Sequence, residues 1–259
     1  VKALAARRHH RAAPVVMLLL ALLVTGGVYA ALAPSPATAA TASTADIETG
    51  KKLFQANCAT CHGPDAEGSA EAPSLVGVGA AAVDFQVSTG RMPMQASGPQ
   101  ALAKPRQLDE EQTAALAAFV ASLGSGPAIP TDEQVDAAQG DAANGMALFR
   151  TNCAMCHNAI GAGGALSAGK FAPSLLETSP RNIYQAMLTG PQSMPVFNDA
   201  NITPEGKRDI IAFLEEQHAG SAGGNPLGGL GPVAEGLWAW VLGLAILIGG
   251  AVWMGAKSS

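Results

Sequence analysis

The sequence predicts an all-α protein: two tandem helical domains held between an N-terminal and a C-terminal transmembrane segment. Three observations carry that expectation. A Cys-x-x-Cys-His motif occurs twice, as Cys58-Ala59-Thr60-Cys61-His62 and as Cys153-Ala154-Met155-Cys156-His157. The residues around each copy repeat, with apolar positions at helical spacing. Uncharged apolar runs of about 20 residues stand near both ends, long enough to cross a hydrocarbon core.

The motif has the spacing of covalent c-type haem attachment. Two thiols add across the two vinyl groups of one porphyrin, and two intervening residues in a helical turn bring both sulfurs to one haem edge. The histidine that follows then lies under the iron as proximal ligand. A lone C-x-x-C also reads as a redox dithiol or half a zinc site. Zinc needs further Cys or His partners, and a redox dithiol needs no trailing histidine. Both copies are complete and together use every cysteine. Two covalently bound haem c groups are therefore expected, on Cys58 and Cys61 and on Cys153 and Cys156, with His62 and His157 as iron ligands.

A chain of 259 residues holds one to three domains once membrane segments are set aside. Its formal net charge is −5 and no Lys/Arg-rich surface run is present, which argues against nucleic acid as a partner.

In chain order, residues 1–33 combine a basic start (Lys2, Arg7, Arg8, Arg11) with the uncharged run Pro14 to Ala33. The positive charge places that end in the cytoplasm. A signal-anchor and a cleaved signal peptide share this pattern; Ala37-Thr38-Ala39 or Ala40-Thr41-Ala42 would serve as cleavage site. The run is long for a signal peptide, which favours the anchor. Under both readings the chain beyond this segment is exported. Residues 34–45 are a Pro/Ser/Thr/Ala linker.

The first domain covers 46–123. Ile47, Gly50, Leu53 and Phe54 form one helical face leading into the first motif. Ala72-Pro73-Ser74-Leu75 and Thr89-Gly90-Arg91-Met92-Pro93 come next. Asp109-Glu110-Glu111-Gln112 opens a last helix with apolar Leu116, Phe119, Val120 and Leu123. Residues 124–139 bridge to the second domain, 140–218, which repeats the plan. Gly145 to Phe149 matches Gly50 to Phe54, and Ala172-Pro173-Ser174-Leu175 matches the first proline segment. Thr189-Gly190-Pro191-Gln192-Ser193-Met194-Pro195 matches the methionine segment, and Thr203-Pro204-Glu205 starts the last helix. At about 80 residues each, such domains have marginal side-chain cores, and a buried haem supplies the missing apolar volume. Residues 219–234 form a Gly-rich linker. The anchor, 235–259, contains a run from Leu237 to Gly255 with Trp238, Trp240 and Trp253 near its ends, and Lys257 after it puts the C-terminus in the cytoplasm.

The sixth iron ligands are assigned by elimination. His9 and His10 fall on the cytoplasmic side, which leaves His218 as the one histidine outside the motifs, and one histidine cannot serve two haems. Methionine is then expected at both sites. Met155 lies inside its motif and Met146 on the helix before it; Met187 reads as core. The two Thr-Gly…Met-Pro segments single out Met92 and Met194, each stiffened by the next proline. Met94 is the rival to Met92. His/Met ligation raises the potential relative to bis-His, and a saturated iron offers no place for O₂ or peroxide.

Each repeat resembles a class I cytochrome c domain: a helix with Gly and Phe, C-x-x-C-H, a proline loop, a Met-Pro loop and a last helix with an aromatic. The resemblance implies that the first and last helices cross at Gly50 and Gly145, facing Phe119 and Phe213. It also implies that Pro73 and Pro173 offer carbonyls to the proximal histidines, an outer-shell bond that orients each ring. With the flanking apolar segments, the whole is similar to the dihaem cytochrome c subunits of actinobacterial menaquinol-oxidising cytochrome bcc complexes; T-G-P-Q-S-M-P-V-F and T-P-E-G-K-R-D-I-I-A-F are particularly alike. That resemblance implies an electron-transfer subunit of a quinol–cytochrome c reductase, with no catalytic site of its own. Its partners would be cytochrome b and Rieske iron–sulfur subunits and a cytochrome aa3 oxidase, its haems would lie on the extracytoplasmic side, and membrane lipid would surround its anchors. Two other functions stay open: a membrane-anchored acceptor for an extracytoplasmic dehydrogenase, and a dihaem peroxidase. The peroxidase would need an iron that can open and a polar distal pocket, and the shortage of histidine argues against it.

Overall fold

The computed structural model describes residues 12–32, 43–96, 98–219 and 232–256. The basic start, the candidate cleavage sites at 37–42, the Gly-rich linker and Lys257 lie wholly or partly outside them. Residues 1–41 and 42–259 form separate units. In the first, α1 (Ala13–Leu32) is a 20-residue helix of apolar sequence, with large side chains such as Met17 and Leu23 exposed.

The second unit opens on α2 (Thr44–Asn57), whose start is closed by reciprocal hydrogen bonds between Ser43 and Asp46. The one-turn α3 (Ala59–His62) carries the first motif. Next come α4 (Gly79–Ser88) and α5 (Glu110–Ser122), the latter capped by Asp109 and Gln112 in the same reciprocal way. Helix α2 crosses α5 where Gly50 has no side chain; a Cβ there would overlap the Ala115 carbonyl oxygen. One turn on, the rings of Phe54 and Phe119 meet at 5.3 Å. Around them Val83, Val87, Leu116 and Val120 complete a first core.

The second core repeats the crossing. After α6 (Asp132–Val135) come α7 (Ala142–Asn152), α8 (Ala154–His157), α9 (Pro180–Thr189) and α10 (Pro204–Ala219). Gly145 lies against the backbone of Asp209 and Ile210, where a Cβ would overlap the Asp209 carbonyl oxygen. One turn on from Asp209, the ring of Phe213 meets that of Phe149 at 5.4 Å. The missing Cβ is what lets the two backbones touch.

Three features depart from the expected plan. First, the chain is not purely helical: β1 (Gly164–Ala165) pairs antiparallel with β2 (Phe171–Ala172). The cause is length. His157 and Pro173 are 16 residues apart, His62 and Pro73 only 11, and the excess doubles back as a hairpin. Second, residues 124–139 are packed rather than free. Ile129 rests on the first core, Val135 and Ala137 on the second, and the Pro127 carbonyl accepts the Ala81 N–H at 3.0 Å. Third, α4 and α9, which the sequence did not disclose, pack against each other and join the two cores. Buried Asp84 on α4 accepts from Arg181 Nε at 2.9 Å and from the fully buried Gln185 Nε2 at 2.6 Å, both on α9.

The last described helix is α11 (Pro232–Ala256). Its Gly236–Ala256 segment is the one described helix both long and apolar enough to cross a membrane by length and composition; Ala13–Val28 of α1 is apolar but shorter.

Candidate functional site

Both motifs fold alike because each comes after a helix that delivers it in a fixed register. The Cys58 N–H donates to the Phe54 carbonyl at 2.8 Å, and the Cys153 N–H to that of Phe149 at 2.8 Å. Each histidine N–H then donates to the carbonyl of the first motif cysteine at 2.9 Å. The buried phenylalanine thus anchors the turn that sets the two thiols and the imidazole side by side. None of the four cysteines is paired in a disulfide. Burial, and then the neighbouring cysteine, pushes the Cys58 and Cys153 thiols up to about 11.

The loops after the motifs return to the same place. Gly68 N–H donates to the His62 carbonyl at 2.7 Å, and Gly163 N–H to that of His157 at 2.9 Å. This return brings the Pro73 carbonyl to 2.8 Å from His62 Nδ1 and the Pro173 carbonyl to 3.0 Å from His157 Nδ1. A carbonyl only accepts, so Nδ1 carries the proton and Nε2 keeps its lone pair for a metal. His157 is 8 % exposed. Burial lowers its pKa from the ordinary histidine value, partly opposed by the bond to Pro173.

Around the second motif lies a cavity of about 520 Å³, in the range of cofactor sites. Cys153, Cys156 and His157 line it, and so do Met194 and Pro195. Apolar Phe149, Leu175, Ile183, Met187, Ile210 and Leu214 form much of the remaining wall. A flat apolar macrocycle bound through two thioethers and one imidazole fits this set: thiols and a tautomer-fixed histidine, a thioether sulfur, and an apolar enclosure. Around the first motif, Cys58, Leu75 and Met92 pack against the first core. Met94 is exposed; Met155, inside the second motif, touches the rim of the cavity but is 92 % exposed. His218, in the last turn of α10, donates from Nδ1 to the Leu176 carbonyl. Among the described residues no cluster of three or more His, Cys, Asp or Glu side chains is arranged for a metal ion.

The second cavity is also lined by residues of the first half, Phe85, Thr89, Arg91, Gln100 and Ala103. Arg91 stacks on Phe85 at 4.9 Å, and burial lowers its pKa. Sequence reasoning passed over these residues and over Asp84 and Gln185. A signal existed for some of them. Asp84 is the lone charge in the apolar stretch Ala80 to Val87, and Ser179-Pro180 is a helix start that leads to Arg181 and Gln185.

The cytochrome c family matches residues 47–124. The family described as cytochrome c oxidase, cbb3-type, subunit III matches residues 140–214. Curated relatives align over nearly the whole chain. The cytochrome bc1 complex cytochrome c subunit of Corynebacterium efficiens is 45% identical over 253 residues, 90% of this chain and 85% of its own. That of Mycobacterium bovis is 45% identical over 244 residues, 91% and 87% of the two chains. The Mycobacterium leprae protein of the same description is 43% identical over 247 residues, 91% and 84%.

Proposed function

This chain belongs to the family of cytochrome bc1 complex cytochrome c subunits, and from that premise we propose that it is a membrane-anchored dihaem cytochrome relaying electrons from a cytochrome b/Rieske quinol-oxidising core to a cytochrome aa3 oxidase. A c-type haem supplies reversible one-electron chemistry at its iron when bound. Cys58 and Cys61 hold one such group and Cys153 and Cys156 the other. His62 and His157 offer Nε2 to the iron because Pro73 and Pro173 hold the proton at Nδ1. Met92 and Met194 would each offer a thioether to an iron, so the protein's part is to bind, orient and exclude water. The observation that carries this reading is the convergence of Cys153, Cys156, His157 and Met194 on one largely apolar cavity. With a histidine and a methionine offered at each site, no ligand position would be left for peroxide, which sets the relay above the peroxidase.

Helix α11 is the C-terminal anchor and α1 the N-terminal one. The cores between them lie on the extracytoplasmic side, where haem is attached, and the C-terminus is cytoplasmic. Isolation of the tagged full chain in mild detergent tests the function. The expected result is two covalent haems per chain by mass spectrometry, with cytochrome b, Rieske and oxidase subunits co-purifying. A dehydrogenase in their place would replace the reading with that of an acceptor cytochrome.

A further inference from the structure

A short strap of the first half, residues 100–104, contributes Gln100 and Ala103 to the wall of the second cavity. At one end of the strap, Gln100 reads the backbone of β2 from both sides. Its Oε1 accepts the Phe171 N–H at 2.9 Å and its Nε2 donates to the Phe171 carbonyl at 2.9 Å. This is the pairing a further strand would make, delivered by one side chain. Phe171 stands two residues before Pro173, whose carbonyl holds His157. Next in the strap, the N–H of buried Ala101 donates to Gln192 Oε1 at 3.1 Å. Gln192 stands two residues before Met194, and it has a positive φ of 60°, a conformation that a non-glycine residue keeps only where its surroundings hold it. At the other end, the Lys104 N–H donates to the Thr89 carbonyl at 3.1 Å and its Nζ to the Pro93 carbonyl at 3.0 Å. Those two carbonyls flank Met92.

We propose that Gln100 is a positioning residue for the second haem: with Ala101 it fixes, from the first half of the chain, the segments that carry both axial groups of the second site, while Lys104 of the same strap fixes the methionine loop of the first. The inference rests on the functional reading above and adds to it a mechanical link between the two haem environments. Its physical content is geometric. A thioether is a weak ligand whose bond to iron depends on where its loop is held. A loop tied at Gln192, opposite a strand tied at Phe171, keeps Met194 and His157 at a set separation.

The experiment uses the full-length haem-loaded protein and reads each haem separately. Met92→Leu and Met194→Leu identify which signal belongs to which haem. Gln100→Ala is expected to weaken the iron–sulfur charge-transfer absorption of the second haem, lower its midpoint potential and open it to carbon monoxide, with the first haem unshifted. Lys104→Met is expected to shift the first haem and leave the second. Gln192→Ala, at an exposed position, removes only the methionine-side tie and is expected to reproduce the loss of absorption without disturbing the fold. A second haem unchanged in absorption, potential and carbon monoxide binding in both Gln100→Ala and Gln192→Ala would overturn the proposal. Equal shifts of both haems in Gln100→Ala would overturn it as well, marking a general loosening of the fold. Unmodified protein carrying fewer than two covalent haems would instead remove the functional reading on which the proposal stands.

Discussion

His62 and His157 each meet a proline carbonyl, at 2.8 and 3.0 Å, and each comes after a helix that crosses the last helix of its half at a glycine. The surroundings differ. Cys153 and His157 are buried, whereas Cys58 and His62 are only partly so and Cys61 is exposed. First-half residues Phe85, Arg91 and Gln100 reach over the second cavity. The second half also ties itself together across greater distances. Helix α7 has its own cap, Asp141, and Asp209 on α10 braces it from a distance, accepting from the Asp141 N–H at 2.8 Å and from Asn144 Nδ2 at 2.7 Å. Helix α2 is capped by its own neighbours Ser43 and Asp46. The two halves thus share the bonds that hold each Cys-x-x-Cys-His turn and differ in what covers and braces it.

The largest expected effect removes one attachment at a time. Cys153→Ala with Cys156→Ala is expected to eliminate one covalent haem and unfold the second half. At roughly 24 cal/mol per Å³ of void, a cavity of about 520 Å³ costs on the order of 10 kcal/mol, comparable with the ~5–15 kcal/mol stability of a whole domain. Cys58→Ala with Cys61→Ala is expected to unfold the first half and also to disturb the second haem, because the strap and Phe85 lose their support. The reverse disturbance should be weaker. Haem-resolved spectra together with limited proteolysis read the asymmetry, and equal cross-effects would break the comparison drawn above.

What the sequence disclosed sorts along the same line. Most of what was legible is local: the motif, the Gly-to-Phe spacing of α2 and α7, the cap at Asp109, the start at Thr203-Pro204, though the equally local start at Ser179-Pro180 went unread. Each depends on neighbours a few residues away. The hairpin at Gly164–Ala172 was not read, although the longer spacing to Pro173 announced extra chain. Helix α4 stayed hidden for a different reason. It is buried on one side by its own core and on the other by α9, so Gly79 to Ser88 carries no polar face to set its period. Asp84 reads in sequence as a charge out of place; only the partners Arg181 and Gln185, about a hundred residues later, make sense of it. Gln100, Lys104 and Gln192 are ordinary loop residues by composition, and their part depends on contacts across the two halves.

A second test concerns the methionines, and its effect is electronic rather than structural. Met194→Leu is expected to keep the haem covalently bound, abolish its iron–sulfur charge-transfer absorption and lower its potential, since a thioether favours ferrous iron. Quinol oxidation through the complex should slow as a downhill path is interrupted. Met92→Leu should do the same at the first haem. Met94 is exposed where Met92 packs on the first core, so Met94→Leu should leave the absorption in place. Loss of the band in Met94→Leu with retention in Met92→Leu would reverse the assignment for the first half and show its loop to be held differently from the second.

The smallest effect is expected where the halves differ by one buried charge. One turn into α5 stands Thr113, whose hydroxyl donates to the Asp109 carbonyl at 2.7 Å. One turn into α10 stands Lys207 instead, fully buried. Its Nζ donates to Asp199 Oδ1 and to the Ile202 carbonyl, both at 2.7 Å, and sits 5.8 Å from the Tyr184 ring centre. The lysine therefore pins the loop that runs from Met194 to α10. Lys207→Met keeps the volume and removes the desolvated ammonium. It leaves the Ile202 carbonyl unpaired, while Asp199, with a side chain 57% exposed, is free to turn to water. These effects oppose each other, so a stability change within about 1.5 kcal/mol is expected. Asp199→Ala leaves the buried ammonium with one acceptor fewer and is expected to cost more, about 1–3 kcal/mol. Thermal unfolding of the haem-loaded protein checks the order of the two. If Lys207→Met proves the more damaging, the lysine supports the second haem through its charge. Only then should the second haem's potential move while the first haem's stays where it was.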